Sequence, residues 1–391
     1  MKTQLVIFGV TGDLAGRKLL PALDSIVATG SYDELSIVGV SRREVDREAL
    51  LQDHPSLEPR TQIFSMDLAT SNEYERLKVF LEAQQADQTL FYLSVPPGAA
   101  ADIVDFLGQA GLNTSNYKVL FEKPFGFDLE SAKEFVDRTA RYFSEAQLYR
   151  IDHYMGKEIA AELLHLRQNA ENHHHHWNNQ SVKAITVVAT ESIGIEGRAQ
   201  FYEQTGALRD FVQGHLMQLL SLVLMQNPRP EGLPEQRLTA LQGLLPVNPE
   251  KATRAQYESY QSEVANPGST TETFVAFMIE SSDVAWRGVP IRLITGKALQ
   301  TKRSSVTIEY TDGTEDVFDE SLLASRDGRR LDAYERVLIE AIEGRKEIFT
   351  SGPEVIRSWE LLASLQEAWS MNDEPLPIYE KGSDVTALLL S

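Results

Sequence analysis

The chain has no cysteine among its 391 residues, which excludes disulfides, thiolate nucleophiles and cysteine–zinc sites together. It has no uninterrupted apolar run near the ~18 residues that a membrane span needs. Positive charge is scarce as well: 37 Lys+Arg stand against 57 Asp+Glu, a net charge of −20. Nucleic-acid binding wants a basic footprint, so that class of partner is not expected. An anionic ligand would meet a repulsive average field, so any phosphate site must be built from a local basic cluster. What is present is 42 % hydrophobic residues, enough to bury a large core. The opening MKTQLVIFGVTGDL meets Gly9 and Asp13 too early for a secretory leader and reads as a first strand. A protein of the cytoplasm, with no membrane partner, is expected.

Strand-like runs at 4–10, 35–40, 61–66, 89–95 and 118–123 alternate with helix-like segments such as NEYERLKVFLEAQQ and AADIVDFLGQAG. Such alternation predicts an α/β Rossmann-type dinucleotide-binding domain over residues 1–150. The first run ends in Gly9-Val-Thr-Gly12, followed by an amphipathic helix from Lys18. A glycine turn opening a helix offers backbone N–H groups to a pyrophosphate. Taken alone it is also an ordinary strand-to-helix turn. Pro96-Pro97 and Lys123-Pro124 stop the fourth and fifth runs at their carboxyl ends, where open α/β sheets bind ligands. The second run delivers Ser41-Arg42-Arg43 where an acid would hold the ribose hydroxyls of NAD. A guanidinium there pairs with a 2′-phosphate, and Ser41 adds a hydroxyl, so NADP is preferred with NAD still accepted.

Beyond residue 150 the texture changes. Residues 182–192, 274–279, 290–295 and 304–310 read as strands, and 331–344 and 354–369 as closing helices. Strands followed by helices predict an α+β domain with a largely antiparallel sheet over 151–391. The run GALRDFVQGHLMQLLSLVLM (206–225) has helical period, with His215 on its apolar face. A histidine so placed is more often a core residue bonded to backbone than a catalyst. His173 to His176 form the one low-complexity tract; consecutive histidines share one tetrahedral geometry poorly, so no metal is assigned.

Between these halves lies RIDHYMGKE (150–158), dense in ionisable and phenolic groups at a strand-to-helix junction. Its His153, Tyr154 and Lys157 together suit an anion such as a phosphate. This stretch closely resembles the RIDHYLGKE signature of the glucose-6-phosphate dehydrogenase family. GVTGDLAGRKLLPAL near the start, EKPFG (122–126), ESIGIEGRAQFYEQTGALRDFVQGHL (191–216), STTETFVAF (269–277), ITGKALQTK (294–302) and LDAYERVLIEAI (331–342) follow in the family's order. The resemblance implies oxidation of glucose 6-phosphate to 6-phosphogluconolactone, with hydride passing to NADP. It assigns His215 as base and Asp152 as the carboxylate that orients it. For the sugar phosphate it implies Lys123, His153, Tyr154, Lys157, Glu191, Asp210, Lys297 and Lys302. For the cofactor it implies Gly9, Thr11, Gly12, Asp13, Leu14, Lys18, Ser94, Pro96 and Lys123, besides Ser41 and Arg42. It also implies a cis Lys123–Pro124 bond.

Two departures stand out. Gly214 precedes the histidine where the family commonly has Asn or Ser. Residues 311–330 are all that separate the last strand from the helix at 331, where the family usually carries several more sheet strands. That sheet supports dimerisation and, in some members, a second cofactor site, so a homo-oligomer here should be smaller or differently built. Two other functions remain compatible: a dehydrogenase of another hexose phosphate, and a non-catalytic sensor of the cofactor or sugar phosphate.

Overall fold

The computed structural model describes residues 1–169, 175–226, 229, 232–323, 331–372, 374–385 and 388. The chain divides into two compact units. The first holds Met1–Gly126 and Glu130–Gly156, and the chain returns to it late, as far as Gly352. The second holds Phe127–Leu129, the run that begins at Lys157, and Pro353 onward.

The strands of the first unit are β1 (Thr3–Phe8), β2 (Leu35–Ser41), β3 (Thr61–Ser65), β4 (Gln88–Leu93), β5 (Tyr117–Phe121) and β6 (Leu148–Ile151). Every residue of β1 and β4 is buried, as expected of parallel strands covered on both faces. They pair in parallel in the order β6-β5-β4-β1-β2-β3. The chain runs outward from β1 through β2 to β3, then crosses to β4 on the other side. That reversal between β1 and β4 is where an open α/β sheet leaves a crevice beyond its carboxyl ends.

The late return has a local cause. Asp332 and Glu335 form a capping box at the start of the helix Ala333–Ile342, satisfying N–H groups that would otherwise lack partners. Tyr334, Val337, Leu338, Ala341 and Ile342 then fall on one buried face. They join Leu5, Ile7, Leu19, Leu23 and Ile26 in one core cluster. Val337, Leu338 and Ile342 each contribute about 1.5–3 kcal/mol when fully buried, so the return is held by packing. The short strand Phe349–Thr350 then adds antiparallel to β6. A contiguous division at residue 150 does not contain this return.

In the second unit the sheet comprises β7 (Val182–Thr190), β8 (Ala252–Tyr257), β9 (Phe274–Ile279), β10 (Ile291–Gly296), β11 (Arg303–Tyr310), β12 (Glu315–Asp319) and the short Ile378–Tyr379. Among the described residues its order is β12-β11-β7-β10-β9-β8 with Ile378–Tyr379 beyond β8. The β7–β10 pair and the Ile378–Tyr379 pairing to β8 are parallel, and the remaining pairs are antiparallel. The α/β-then-α+β class expected above therefore holds. Strand β12 falls in the short 311–330 connection and was not visible as a strand. Its EDVFD is acid-rich, and only Phe318 and Asp319 are buried. Strand β8 was missed for a related reason: ATRAQY is exposed or half-buried over its first three residues and shows no clean alternation.

The run 206–225 is not one helix. A helix Ala199–Ala207 reaches Gly206, whose φ of 63° and ψ of 176° are non-helical. A π-helical run Leu208–Leu216 follows, then an α-helix Met217–Leu224 with every residue buried. Of the histidine tract, His173 and His174 lie outside the described residues. His175 stacks on Tyr310 with ring centroids 3.9 Å apart, and its Nε2 lies 3.2 Å from the Thr314 hydroxyl. No helix is long and apolar enough to cross a membrane among the described residues.

Candidate active site

The first unit's candidates lie at the carboxyl ends of neighbouring strands. After β1, Gly9 adopts φ +80°, and a Cβ there would come within 2.2 Å of the Ser94 carbonyl oxygen. Only glycine lets the first turn lie this close to the end of β4. Gly12 N–H donates to the Gly9 carbonyl at 2.9 Å, closing the turn and leaving the bare backbone facing a groove. That groove is a cavity of about 610 Å³ whose lining includes Gly9, Thr11, Gly12, Ser41, Arg42, Ser94 and Pro96. Seven of the expected cofactor residues thus come together. Asp13, Leu14, Lys18 and Lys123 are not among its lining residues; Lys18 is exposed and Leu14 half-buried.

Arg43, delivered with Arg42 by the second strand, also lines the groove, as do Asp67, Ala69 and Asp102, which the sequence did not single out. Asp67 follows β3, one strand beyond Arg42, and a lone Asp-Leu after a strand carries no signal of its own. The Ala69 N–H and the Thr70 hydroxyl donate to its carboxylate at 3.0 and 3.1 Å, and these bonds hold its pKa below the ordinary value. With Ser41, Arg42 and Arg43 side by side, the groove's composition suits the anionic end of a dinucleotide.

Farther along the same sheet edge, β5 delivers Glu122 and Lys123, with the Lys123–Pro124 bond cis. Strand β6 delivers Asp152, which is buried. Its Oδ1 accepts from the Tyr154 N–H at 3.0 Å, which fixes the carboxylate at the mouth of the turn His153–Gly156. His153 packs edge-on to Tyr154 and stacks on Tyr334, with centroids 5.2 and 6.3 Å away. Glu122 is the residue that was missed here. The Tyr92 and Tyr334 hydroxyls bond its carboxyl. Burial, only partly opposed by Tyr92 and the Lys123 charge, pushes its pKa up to about 7. Its place beside Lys123 in EKPFG was the available clue.

The second unit supplies the others. Strands β7 and β10 are parallel neighbours, with Thr190 opposite Gly296. Their next residues, Glu191 and Lys297, therefore meet, and they form an ion pair. Lys297 is 1 % exposed, with its ammonium 5.2 Å from the Tyr202 ring centre and 5.6 Å from that of Phe211. Aromatic faces and one carboxylate compensate a charge taken out of water. Lys302 is exposed just before β11, whose first residue pairs with Thr190 at this same sheet end. Asp210 and His215 both stand on the π-helical run Leu208–Leu216. The His215 ring is buried and edge-on to Phe211 at 5.6 Å. Phe211 thus touches both the candidate base and Lys297. π-Helical turns inside longer helices recur at functional sites. Lys157 caps the helix Glu158–Gln168 with extended φ and ψ. So Asp152, His153 and Tyr154 belong to the first unit, and Lys157 and His215 to the second. Among the described residues there is no cluster of metal-ligating side chains.

Comparison with known proteins is consistent along the chain. The family model for the glucose-6-phosphate dehydrogenase NAD binding domain matches residues 6–161. The model for that family's C-terminal domain matches residues 164–327 and 321–387. Glucose-6-phosphate 1-dehydrogenase of Dickeya dadantii is 32 % identical, over 97 % of this chain and 94 % of its own. The enzyme of the same name from Rhizobium meliloti is 30 % identical, over 97 % and 93 %. A solved glucose-6-phosphate dehydrogenase in complex with its substrate glucose-6-phosphate superposes with a TM-score of 0.90. It is 26 % identical and covers 100 % of this chain and 97 % of that one. The Mycobacterium avium glucose-6-phosphate 1-dehydrogenase gives 0.84 at 28 % identity, over 98 % and 94 %. The chain belongs to the glucose-6-phosphate dehydrogenase family.

Proposed function

We propose that this protein oxidises glucose 6-phosphate to 6-phosphogluconolactone with NADP as hydride acceptor, the entry reaction of oxidative hexose phosphate metabolism. The observation that carries this reading is the cluster on the second unit. Buried His215 sits on the same π-helical run as Asp210, against Phe211, whose ring also faces the Glu191–Lys297 pair. A neutral imidazole beside fixed hydroxyl-binding groups suits removal of a proton from a sugar hydroxyl near neutral pH.

In this reading a ring nitrogen of His215 takes the proton of the C1 hydroxyl while the C1 hydrogen departs with its electron pair. The C1–O bond thereby becomes the lactone carbonyl. Asp152 holds the imidazole tautomer and stabilises the imidazolium. Glu191 and Asp210, acceptors only, take hydrogen bonds from sugar hydroxyls. Lys297 and Lys302 add donors at the same sheet end. Lys157, His153 and Tyr154 hold the phosphate, the local basic cluster that a chain of net charge −20 requires.

The nicotinamide ring, when bound, supplies the hydride acceptor. Gly9, Thr11, Gly12, Asp13, Leu14, Ser94 and Pro96 would hold its dinucleotide, with Lys18 and Lys123 toward the reacting end. Ser41 and Arg42, with Arg43, would take a 2′-phosphate, so NADP is preferred to NAD. A homo-oligomer is expected to be smaller or differently built than one resting on a longer sheet, and the protein is assigned to the cytoplasm.

The reading is tested by absorbance at the reduced-nicotinamide band, with glucose 6-phosphate, glucose and other hexose phosphates offered in turn with NADP. Glucose 6-phosphate should give the highest kcat/KM. A higher value for another hexose phosphate would reassign the substrate, and no reduction with any of them would leave a binding protein.

A further inference from the structure

Glu272, at the entry to β9, is a buried carboxylate that the mechanism above does not use. It is 4 % exposed. Its Oε1 accepts the Leu208 N–H at 2.9 Å, and its own carbonyl accepts the Ala207 N–H at 2.9 Å. These two N–H groups open the π-helical run, where the chain has no helical acceptors to offer. Anionic groups near a helix start are also favoured by its dipole.

The partner motif is shaped around this carboxylate. Gly206 has φ 63° and ψ 176°, a region open essentially to glycine alone. A Cβ on it would lie 2.5 Å from the Glu272 Oε1. So the glycine of QTGALRD lets the backbone turn, and it also leaves room for the glutamate of STTETF. The neighbouring Thr273 extends the clamp to the other side of the site. Its carbonyl accepts the Lys297 N–H at 2.9 Å. Its hydroxyl lies 2.9 Å from that of Tyr379, which in turn donates to the Lys297 carbonyl at 2.7 Å. Two consecutive residues therefore fix both the run bearing Asp210 and His215 and the backbone of Lys297.

We propose that Glu272 is a positioning residue for the dehydrogenase reaction, setting where the π-helical run places Asp210 and His215 relative to Lys297. The proposal rests on the assignment of His215 as base. Burial pushes the Glu272 carboxyl up, only partly opposed by the Leu208 N–H and the Arg209 and Arg254 charges. What the site needs from residue 272 is thus an acceptor aimed at Leu208, which glutamine also provides.

The test uses the full chain with glucose 6-phosphate and NADP, and four variants: E272A, E272Q, G206A and the double variant. E272A should lose about 10–100-fold in kcat, the scale expected for a misplacement near 1 Å. Its dissociation constant for NADP, read by tryptophan fluorescence, should not change. E272Q should recover most of that loss, and G206A should show a defect of the same kind. Adding G206A to E272A should cost less than G206A alone, because the carboxylate it strikes is gone. Wild-type kcat in E272A, or E272Q as impaired as E272A, overturns the proposal. If E272A does not fold, G206A decides, and wild-type kcat in G206A overturns it equally. A wild type inactive on glucose 6-phosphate would instead sink the functional reading. Amide hydrogen exchange at Leu208, faster in E272A than in E272Q, would then still test the clamp.

Discussion

The two units carry their candidate residues by different means. In the first, most candidates stand within a few residues of the end of a parallel strand: Gly9 after β1, Ser41 and Arg42 at β2, Ser94 after β4, Lys123 after β5, Asp152 after β6. Strand order alone lines these positions along one edge, and backbone groups do much of the work. In the second, Glu191 and Lys297 come from strand ends while Asp210 and His215 come from an irregular helix. Their placement depends on buried charges and rings: the Glu191–Lys297 pair, Phe211, Tyr202 and Glu272. A site made from strand ends tolerates side-chain change well. A site hung on a buried network loses geometry when one member is removed.

The sharpest contrast is expected at His215. His215→Asn should lower kcat about 10²–10⁴-fold, the usual weight of a general base, while sugar-phosphate and NADP binding persist. Near-normal turnover in this variant would return His215 to the role of a core residue. Lys157→Ala comes next. Losing a charge-assisted bond of roughly 1.5–3 kcal/mol should raise KM for glucose 6-phosphate about 10–100-fold and leave glucose almost unaffected. Equal loss on both sugars would make Lys157 a structural residue.

Strand-end recognition should be softer. Arg42→Ala is expected to reduce the NADP-to-NAD ratio of kcat/KM about tenfold, because Ser41 and Arg43 remain in the groove. An unchanged ratio, or a wild type that favours NAD, removes Arg42 from this role.

The smallest effect concerns stability. Glu122 titrates near 7 in the fold because of burial, against about 4.3 in a free chain. Between those values the unfolded carboxyl is ionised while the folded one still holds its proton. Folding stability therefore falls as pH rises through that window and levels off above it. Glu122→Gln should match wild type near pH 4 and exceed it by about 1–3 kcal/mol near pH 8. Parallel stability curves from chemical denaturation at the two pH values would show that Glu122 ionises normally.

The same contrast explains what could be read from the residues. The parallel unit was legible because runs such as TQLVIF are buried on both faces and glycine or proline marks their ends. The groove residues followed, since strand ends carry the site. Strand β12, with its acid-rich EDVFD, gave no apolar pattern to read. The break at Gly206 was hidden because it stands at the very start of the run, and apolar residues keep helical spacing from Leu208 to Val223 beyond it. Glu272 and Glu122 were passed over because each acts through a partner distant in sequence, Leu208 in one case and Tyr334 in the other. Only the resemblance to a known family paired Asp152 with His215, since no spacing rule links them.

The central claim is that hydride leaves C1 of glucose 6-phosphate for the nicotinamide ring. It is tested most directly by single-turnover reaction of wild-type protein and NADP with glucose 6-phosphate deuterated at C1. The account predicts that the label appears in the reduced nicotinamide and that none is lost to water. Reduction without label in the nicotinamide, or no reduction at all, would contradict it.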